Sequence, residues 1–229
     1  MNITQFPKKL KAVLFDMDGI LYDSMKNHSN TWLESFKKWG IDFPLYDSYM
    51  NEGRTGESTI RLAFLEHLNR EPTPKEIKDL YDYKTKLMLE APEAEILPRM
   101  QGVVADTMNA GIKAVVVTGS RQPILLERLQ SDYNISSGDI ISGFDVKHGK
   151  PHPEPYLLGL EKAGCSADEA VVIENAPMGV ESAVAAKVFT IGINTGILKP
   201  EELSSRGANL VFNDTISFAD KWQEILKGI

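Results

Sequence analysis

The sequence predicts an α/β protein: a doubly wound parallel sheet with an inserted helical domain. Short apolar runs rich in valine and isoleucine alternate with helical stretches, which is typical of a parallel sheet covered by helices on both faces. Between about residues 20 and 96 this alternation stops and helical periodicity replaces it. We therefore expect a core domain of residues 1–19 and 97–229 and a helical cap domain of residues 20–96.

The candidate strands carry polar side chains at their ends. They are residues 12–16 (AVLFD), 113–119 (KAVVVTG), 170–175 (AVVIEN) and 189–194 (FTIGIN). Ligands of open parallel sheets bind beyond the carboxyl ends of the strands. Because Asp16, Thr118 and Glu174 lie at such ends, we expect them to meet in one crevice.

The cap segment shows the spacing of amphipathic helices. Trp32 and Phe36 are four residues apart, and a capping box with proline at the first helical position begins at Thr73. Aromatic side chains at this spacing are most simply explained as a hydrophobic core. The segments 18–24 and 91–102 would join the cap to the sheet, so that the cap can hinge over the crevice.

Composition argues against several classes of function. The net charge of −7 and the pI of about 5.2 lack the basic excess of proteins that bind nucleic acid or anionic membranes. No apolar stretch approaches the roughly 20 residues that cross a bilayer. The single cysteine, Cys165, cannot form an internal disulfide. We expect a cytoplasmic monomer that binds neither nucleic acid nor membranes.

Two acids follow the first strand. Asp16 and Asp18 are two positions apart, so in an extended chain their side chains leave on the same side, and Gly19 then lets the backbone turn. Burying carboxylates without partners costs several kcal/mol, so a role with a cation or a phosphate is the economical interpretation. The alternative is a solvated pair of loop residues.

Three further polar elements complete the pattern. The segment 118–120 (TGS) precedes a helical stretch and offers a hydroxyl with backbone N–H groups for a phosphate, although it could be an ordinary helix start. Lys150 is either a fixed cation at the site or a solvated surface lysine. Glu174 and Asn175 supply the hard oxygen ligands that Mg²⁺ prefers.

The ordered motifs resemble those of a known family. DMDGILYDS, VVVTGS, GKPHPEPY and VVIENAPMG are similar to the four motifs of the haloacid dehalogenase (HAD) superfamily, with a helical cap inserted after the first. The details most resemble the β-phosphoglucomutase-like subgroup, and within it the inorganic pyrophosphatases. The resemblance implies a Rossmann-like core and Mg²⁺-dependent phosphoryl transfer through an aspartyl-phosphate.

The resemblance also implies a role for each motif residue. Asp16 would be the nucleophile, Asp18 the general acid and then the base, and Lys150 would bridge Asp16 and the phosphate. The residues implied to bind phosphoryl oxygens are Thr118, Gly119 and Ser120. The residues implied to hold Mg²⁺ are Asp16, Asp18 through its backbone carbonyl, Glu174 and Asn175. Many members carry aspartate where this chain has Asn175, so we expect somewhat weaker Mg²⁺ binding.

Several residues of the cap segment give information about the class of substrate. His28 and Lys84 match a hinge histidine and a substrate-reaching lysine of the subgroup; otherwise they would be a structural histidine and an exposed lysine. The mutases present an arginine to the far phosphate of a sugar bisphosphate where this chain has Gly56, and the nearest arginine is Arg54. Glu52 is either a solvated loop residue or a contact to Mg²⁺, as in the related pyrophosphatases.

We therefore expect a phosphohydrolase that acts on a small phosphorylated substrate, with inorganic pyrophosphate as the leading candidate. A β-phosphoglucomutase or a sugar-phosphate phosphatase is the alternative. A non-catalytic phosphate-binding protein that kept the fold is a more distant one, because fold alone does not establish activity.

Overall fold

A parallel sheet forms the centre of the computed structural model, which describes residues 6–121 and 123–227. Within these residues the strands are β1 (Ala12–Phe15), β2 (Lys113–Val117), β3 (Ile140–Ile141), β4 (Ala170–Glu174), β5 (Phe189–Ile193) and β6 (Leu210–Phe212). Their order across the sheet is β3-β2-β1-β4-β5-β6, and all neighbouring pairs are parallel. The predicted fold class is confirmed, whereas β3 and β6 are absent from the predicted set of strands.

Helices follow most strands, and a group of them stands between β1 and β2. In the described residues they are α1 (Met25–Lys38), α2 (Leu45–Met50), α3 (Gly56–Leu68), α4 (Pro74–Glu90), α5 (Met100–Asn109), α6 (Pro123–Tyr133), α7 (Glu154–Ala163), α8 (Pro177–Ala185), α9 (Pro200–Ser204) and α10 (Thr215–Lys227). None of these helices has the length and apolar character needed to cross a bilayer.

Alternate side chains of β1 pack into different hydrophobic clusters on the two faces of the sheet. Val13 and Phe15 belong to a cluster that includes Trp222 of α10. Leu14 belongs to a second cluster, with Tyr156 of α7. Because both faces of β1 are covered, its sequence is continuously apolar until the chain reaches the acids at its end.

The helices α1 to α4 enclose a hydrophobic cluster of their own. The rings of Trp32 and Phe36 stack with centroids 5.2 Å apart, and they pack with Phe64 of α3 and Leu80 of α4. The capping box predicted at Thr73 is present at the start of α4. The aromatic spacing therefore marks a core, while the division of the chain into domains at residues 19/20 and 96/97 stays a prediction.

The segments that join the cap helices to the sheet run side by side. The N–H of Leu97 donates to the carbonyl of Leu21 at 3.0 Å, and the N–H of Asp23 donates to the carbonyl of Glu95 at 2.8 Å. The cap helices thus join the rest of the chain next to the end of β1, where the paired acids stand.

Candidate active site

Asp16 follows β1 directly and is held by a lysine from a distant loop. Its N–H donates to the carbonyl of Ile173 in the neighbouring strand β4 at 2.9 Å, which fixes its backbone. Lys150 donates to Oδ1 of Asp16 at 2.5 Å and to the carbonyl of Val117 at 3.1 Å, and its side chain is 1% exposed. An ion pair this buried is tolerated only when its remaining polar atoms are also satisfied.

Glu174, at the end of β4, completes the surroundings of Lys150. Its Oε1 accepts hydrogen bonds from Lys150 at 2.6 Å and from the Tyr156 hydroxyl at 2.8 Å. Its Oε2 accepts the N–H groups of Asn175 and Ala176 at 2.9 and 3.1 Å. A carboxylate offers about four lone-pair sites. Contacts among the described residues therefore use the acceptor capacity of Glu174, and its role as a metal ligand stays a prediction.

The charges of this cluster perturb one another. Burial and the charge of Glu174 raise the pKa of Asp16 well above its usual range, although Lys150 opposes the shift. Burial lowers the pKa of Lys150, but Asp16 and Glu174 outweigh burial and the net shift is upward. The lysine is therefore a permanent cation, whereas the neighbouring carboxylate makes Asp16 harder to ionise.

Asp18 is held from the side of the cap. Its Oδ1 accepts a hydrogen bond from the hydroxyl of Ser24 at 2.6 Å, and Nε2 of His28 lies 3.2 Å from the same oxygen, outside hydrogen-bond geometry. The hydroxyl of Thr118 reaches Oδ2 at 3.5 Å. Burial raises the pKa of Asp18, but His28 and Ser24 outweigh burial and the net pKa is below its usual value.

The segment that follows β2 lies beneath the cap. The N–H of Ser120 donates to the Thr118 hydroxyl at 3.0 Å. A Cβ on Gly119 would stand 3.0 Å from the carbonyl oxygen of Gly53, which belongs to the loop between α2 and α3. The residues predicted to bind phosphate are thus covered by the cap, and α6 begins only at Pro123.

A small cavity separates the cap from the ends of the strands. Its volume is about 40 Å³, and its lining includes Asp18, Glu52, Arg54 and Lys84. The cavity is little larger than the roughly 30 Å³ that one water molecule occupies in the liquid. A substrate can therefore enter only when the cap moves away from the sheet.

The predicted cap residues reach this cavity. Lys84 is buried, with its ammonium 5.2 Å from the centre of the Trp32 ring, so it is not an exposed surface lysine. His28 also lines the cavity, beside Asp18. Burial raises the pKa of Glu52, which is partly buried and so is not a freely solvated loop residue.

Side-chain oxygens that lack hydrogen-bond donors fit a divalent cation at this site. The side-chain oxygen Oδ1 of Asn175 is buried and accepts no hydrogen bond in the described part of the chain. Oδ2 of Asp16 likewise accepts no hydrogen bond from the described residues, whereas Oδ1 accepts one from Lys150. Two hard oxygen atoms without donors are ligands of the kind that Mg²⁺ prefers.

Other residues join the site without being predicted from the sequence. Ser24 and Tyr156 stand inside the motifs DMDGILYDS and GKPHPEPY, which drew attention to their segments but not to their side chains. Thr195, which donates to the carbonyl of Gly19, stands outside every motif. Proximity in space, rather than a sequence signal, reveals its contact.

Comparison with known proteins agrees with this geometry. The family model of the haloacid dehalogenase-like hydrolases matches residues 10–187. The chain belongs to this family. It is therefore an enzyme of the HAD phosphatase type, and its relatives support the β-phosphoglucomutase-like subgroup.

Several relatives cover most of the chain. A solved structure from Bacteroides vulgatus, provisionally described as a β-phosphoglucomutase, is 43% identical with a TM-score of 0.91 and covers 96% of this chain and 90% of its own. Hexitol phosphatase A of Escherichia coli is 29% identical over 81% of this chain and 84% of its own length. The β-phosphoglucomutase of Bacillus subtilis is 27% identical over 82% and 84%.

Proposed function

We propose that this HAD hydrolase removes phosphate from a small phosphorylated sugar or sugar alcohol through an aspartyl-phosphate on Asp16. The observation that carries the proposal is the buried contact of Lys150 with Asp16 beside a small cavity that Asp18 lines. The names of the relatives support carbohydrate phosphates as the substrate class. The pyrophosphate expected from the sequence becomes the second candidate, because the relatives named above give it no support.

In the first step a carboxylate oxygen of Asp16 forms a bond to phosphorus while the bond to the leaving oxygen breaks. Asp18 gives that oxygen a proton. Lys150, held at Asp16, neutralises charge that accumulates during transfer. The low pKa of Asp18 means that it is ionised before substrate binds, so the proton that it gives must arrive with the substrate.

In the second step a water molecule attacks the phosphorus of the aspartyl-phosphate, and the bond between phosphorus and Asp16 breaks. Asp18, now ionised, takes a proton from that water. The lowered pKa of Asp18 keeps it ionised for this step, although it also makes the carboxylate a weaker base. Inorganic phosphate leaves, and Asp16 returns to its carboxylate form.

The oxygens proposed to hold Mg²⁺ belong to Asp16, Asn175 and the backbone carbonyl of Asp18. The cation would supply charge neutralisation for the phosphate. Glu174 would act indirectly, because its oxygens already bind Lys150, Tyr156 and backbone N–H groups.

Hydrolysis is favoured over isomerisation by the cap. Gly56 stands where the mutases carry their arginine, and a Cβ there would lie 2.1 Å from the Tyr81 ring. Arg54 is held by the side chains of Asn51 and Ser58 at 2.9 and 3.3 Å. A mutase must bind a bisphosphate at both ends, whereas Gly56 offers no cation for the second phosphate and the Arg54 guanidinium already donates to two cap side chains.

Pyrophosphate remains the second candidate because of Glu52. This acid faces the cavity near Asp18 and would repel a large anionic leaving group. A leaving group bound to a metal ion is better shielded and would be repelled less. A small, metal-chelated phosphate would also fit beneath a closely seated cap. Both candidates are hydrolysed through the same residues.

The test measures phosphate release by the full chain with Mg²⁺ from a hexitol phosphate, β-glucose 1-phosphate, glucose 6-phosphate and pyrophosphate. We expect the highest kcat/KM with a carbohydrate phosphate and no turnover in Asp16→Asn. Phosphate release that survives in Asp16→Asn would refute the covalent mechanism. A preference for pyrophosphate of tenfold or more would promote the second candidate.

A further inference from the structure

Thr195, just after β5, makes a contact that the reaction described above does not use. Its hydroxyl donates a hydrogen bond of 2.5 Å to the carbonyl oxygen of Gly19, which stands 176 positions earlier in the chain. Gly19 follows Asp18 directly. The contact therefore ties the turn that carries Asp18 to the far end of β5.

The same turn is confined on its other side. Gly19 has a φ of +84°, a left-handed conformation that favours glycine. A Cβ at this position would stand 2.1 Å from Nδ2 of Asn175, so the turn packs directly on that side chain. The N–H of Gly19 donates to the carbonyl of Tyr22 at 2.8 Å. With Thr195 on the carbonyl, the peptide groups of the turn have little freedom to rotate.

Thr195 itself stands on a fixed support. The N–H of Asn194 donates to the carbonyl of Phe212 in β6 at 2.8 Å, and its side-chain amide donates to the carbonyl of Leu198 at 2.7 Å. The N–H of Thr195 donates to the carbonyl of Ile193 at 3.0 Å. A hydroxyl on such a support can hold a partner in place, because its own backbone is held by the sheet.

The loop that carries Thr195 also touches the cap. A Cβ on Gly196 would stand 2.6 Å from Cε1 of Tyr49, so the Tyr49 ring of α2 lies directly on this glycine. The Tyr46 hydroxyl of the same helix donates to Glu202 at 2.8 Å. The anchor on Gly19 is therefore present while the cap covers the cavity, which is when proton transfer has to occur.

We propose that Thr195 is a positioning residue for Asp18, the general acid and base of the proposed function on which this inference rests. Its hydroxyl fixes the carbonyl of Gly19, and the turn then presents the Asp18 carboxylate to Ser24 and to the leaving oxygen. Without that hydroxyl the turn can rotate, and the carboxylate is presented less accurately. Thr195 touches neither the phosphate nor the nucleophile.

The test compares Thr195→Val with Thr195→Ser on two substrates at saturating Mg²⁺. Valine keeps the β-branched shape but cannot donate, whereas serine keeps the hydroxyl. An alkyl phosphate needs a proton on its leaving oxygen, and p-nitrophenyl phosphate does not. We expect Thr195→Val to lose roughly tenfold to a hundredfold in kcat/KM on the hexitol phosphate and less than about threefold in kcat/KM on p-nitrophenyl phosphate, because kcat/KM reports the step in which the leaving group departs. Thr195→Ser should stay close to wild type on both.

Thr190→Val is the matched control. Thr190 lies in β5, the strand that Thr195 follows, and its buried hydroxyl donates to the carbonyl of Val188 at 2.9 Å, so its loss removes a comparable hydrogen bond from the amino end of β5. We expect no dependence on the leaving group in this variant. Thermal unfolding of every variant shows whether it is folded, and Thr195→Ala provides the same comparison should Thr195→Val not fold.

Equal losses on the two substrates, or no loss on either, would overturn the role of Thr195. Failure of the proposed function gives a different result, because phosphate release by Asp16→Asn would show it whatever Thr195 does. A loss confined to the hexitol phosphate that serine restores supports the inference.

Discussion

The fit between the cap and the core can be tested at Gly149, which precedes the buried lysine and adopts no left-handed backbone conformation. A Cβ on Gly149 would stand 2.6 Å from Cγ2 of Thr55, at the start of α3. Ordinary contact begins at 3.4 Å, so in Gly149→Ala the cap has to retreat by about 0.8 Å. Misplacing reacting groups by about 1 Å can cost about a hundredfold in rate.

We therefore expect Gly149→Ala to lower kcat/KM for the preferred substrate by roughly tenfold to a hundredfold, while the melting temperature changes little. The overlap lies between cap and core rather than inside either hydrophobic cluster. Thr55→Ser removes the clashing methyl but keeps the hydroxyl that accepts the N–H of Ser58. The double variant should therefore recover most of the lost activity, since the next contact, to the backbone N of Thr55, is 3.2 Å.

Gly102→Ala in α5 is the matched control, because a Cβ there meets nothing within 4 Å. This variant should keep wild-type kcat/KM and gain slightly in stability, as alanine favours helix over glycine. The assay is phosphate release under initial-rate conditions, with thermal unfolding of each protein. Wild-type activity in Gly149→Ala would show that the close contact between Gly149 and Thr55 is not needed in the reactive complex. A loss that Thr55→Ser fails to repair would show that the Thr55 methyl is not its cause.

Other predictions address the chemistry and the cap. Asp16→Asn should lose turnover and form no phosphorylated protein in a rapid acid quench, and a trapped phosphoenzyme in this variant would contradict its role as nucleophile. Asp18→Asn should lose about a hundredfold to ten-thousandfold in kcat/KM on alkyl phosphates but less on p-nitrophenyl phosphate; an equal loss in kcat/KM would argue against proton transfer to the leaving group. Asn175→Asp adds a negative charge at the orphaned oxygen, so calorimetric titration should show tighter Mg²⁺ binding, and unchanged or weaker binding would remove Asn175 from the proposed ligands. Glu76 has its pKa lowered from 4.5 to about 2, first by Arg70, so it contributes stability above pH 4.5 that is lost as pH falls toward 2. Glu76→Gln should weaken the dependence of the melting temperature on pH over this window. An unchanged slope of melting temperature against pH would show that ionisation of Glu76 does not contribute to stability.

The parts of the fold that the sequence predicts are those in which burial imposes a long, regular pattern. The strands β1, β2, β4 and β5 are continuous apolar runs because helices cover both faces of the sheet. β3 (Ile140–Ile141) and the helix α2 (Leu45–Met50) are too short to show a period. Their place comes from contacts with neighbouring elements, which a local pattern does not contain.

The candidate site also combines features that the sequence predicts with features that it does not. Asp16 and Glu174 could be placed together from the sequence because parallel strands end at the same edge of the sheet. The hydrogen bonds of Glu174 could not be foreseen, since they depend on where Tyr156 of α7 points and on the backbone turn after β4. The role of Glu174 as a direct metal ligand stays a prediction, and its partners in the structure are these protein donors. The depth of Lys84 likewise depends on its packing over Trp32, which residue type alone does not reveal.

The charges of the cap are the reason we expect a substrate with one phosphate to suit this site better than a bisphosphate. The ammonium of Lys84 is drawn to Glu52 and Asp18, whose charges oppose the lowering of its pKa by burial. Arg54 is engaged by neighbouring cap side chains, and Gly56 has no room for a longer residue. A second phosphate would therefore lie beside Glu52 without gaining a cation that has no other partner. The cost of removing that phosphate from water would not be offset. Carbohydrate monophosphates avoid this cost because the end of the molecule away from the phosphate is neutral. Its hydroxyl groups can form hydrogen bonds with an acidic or a basic side chain.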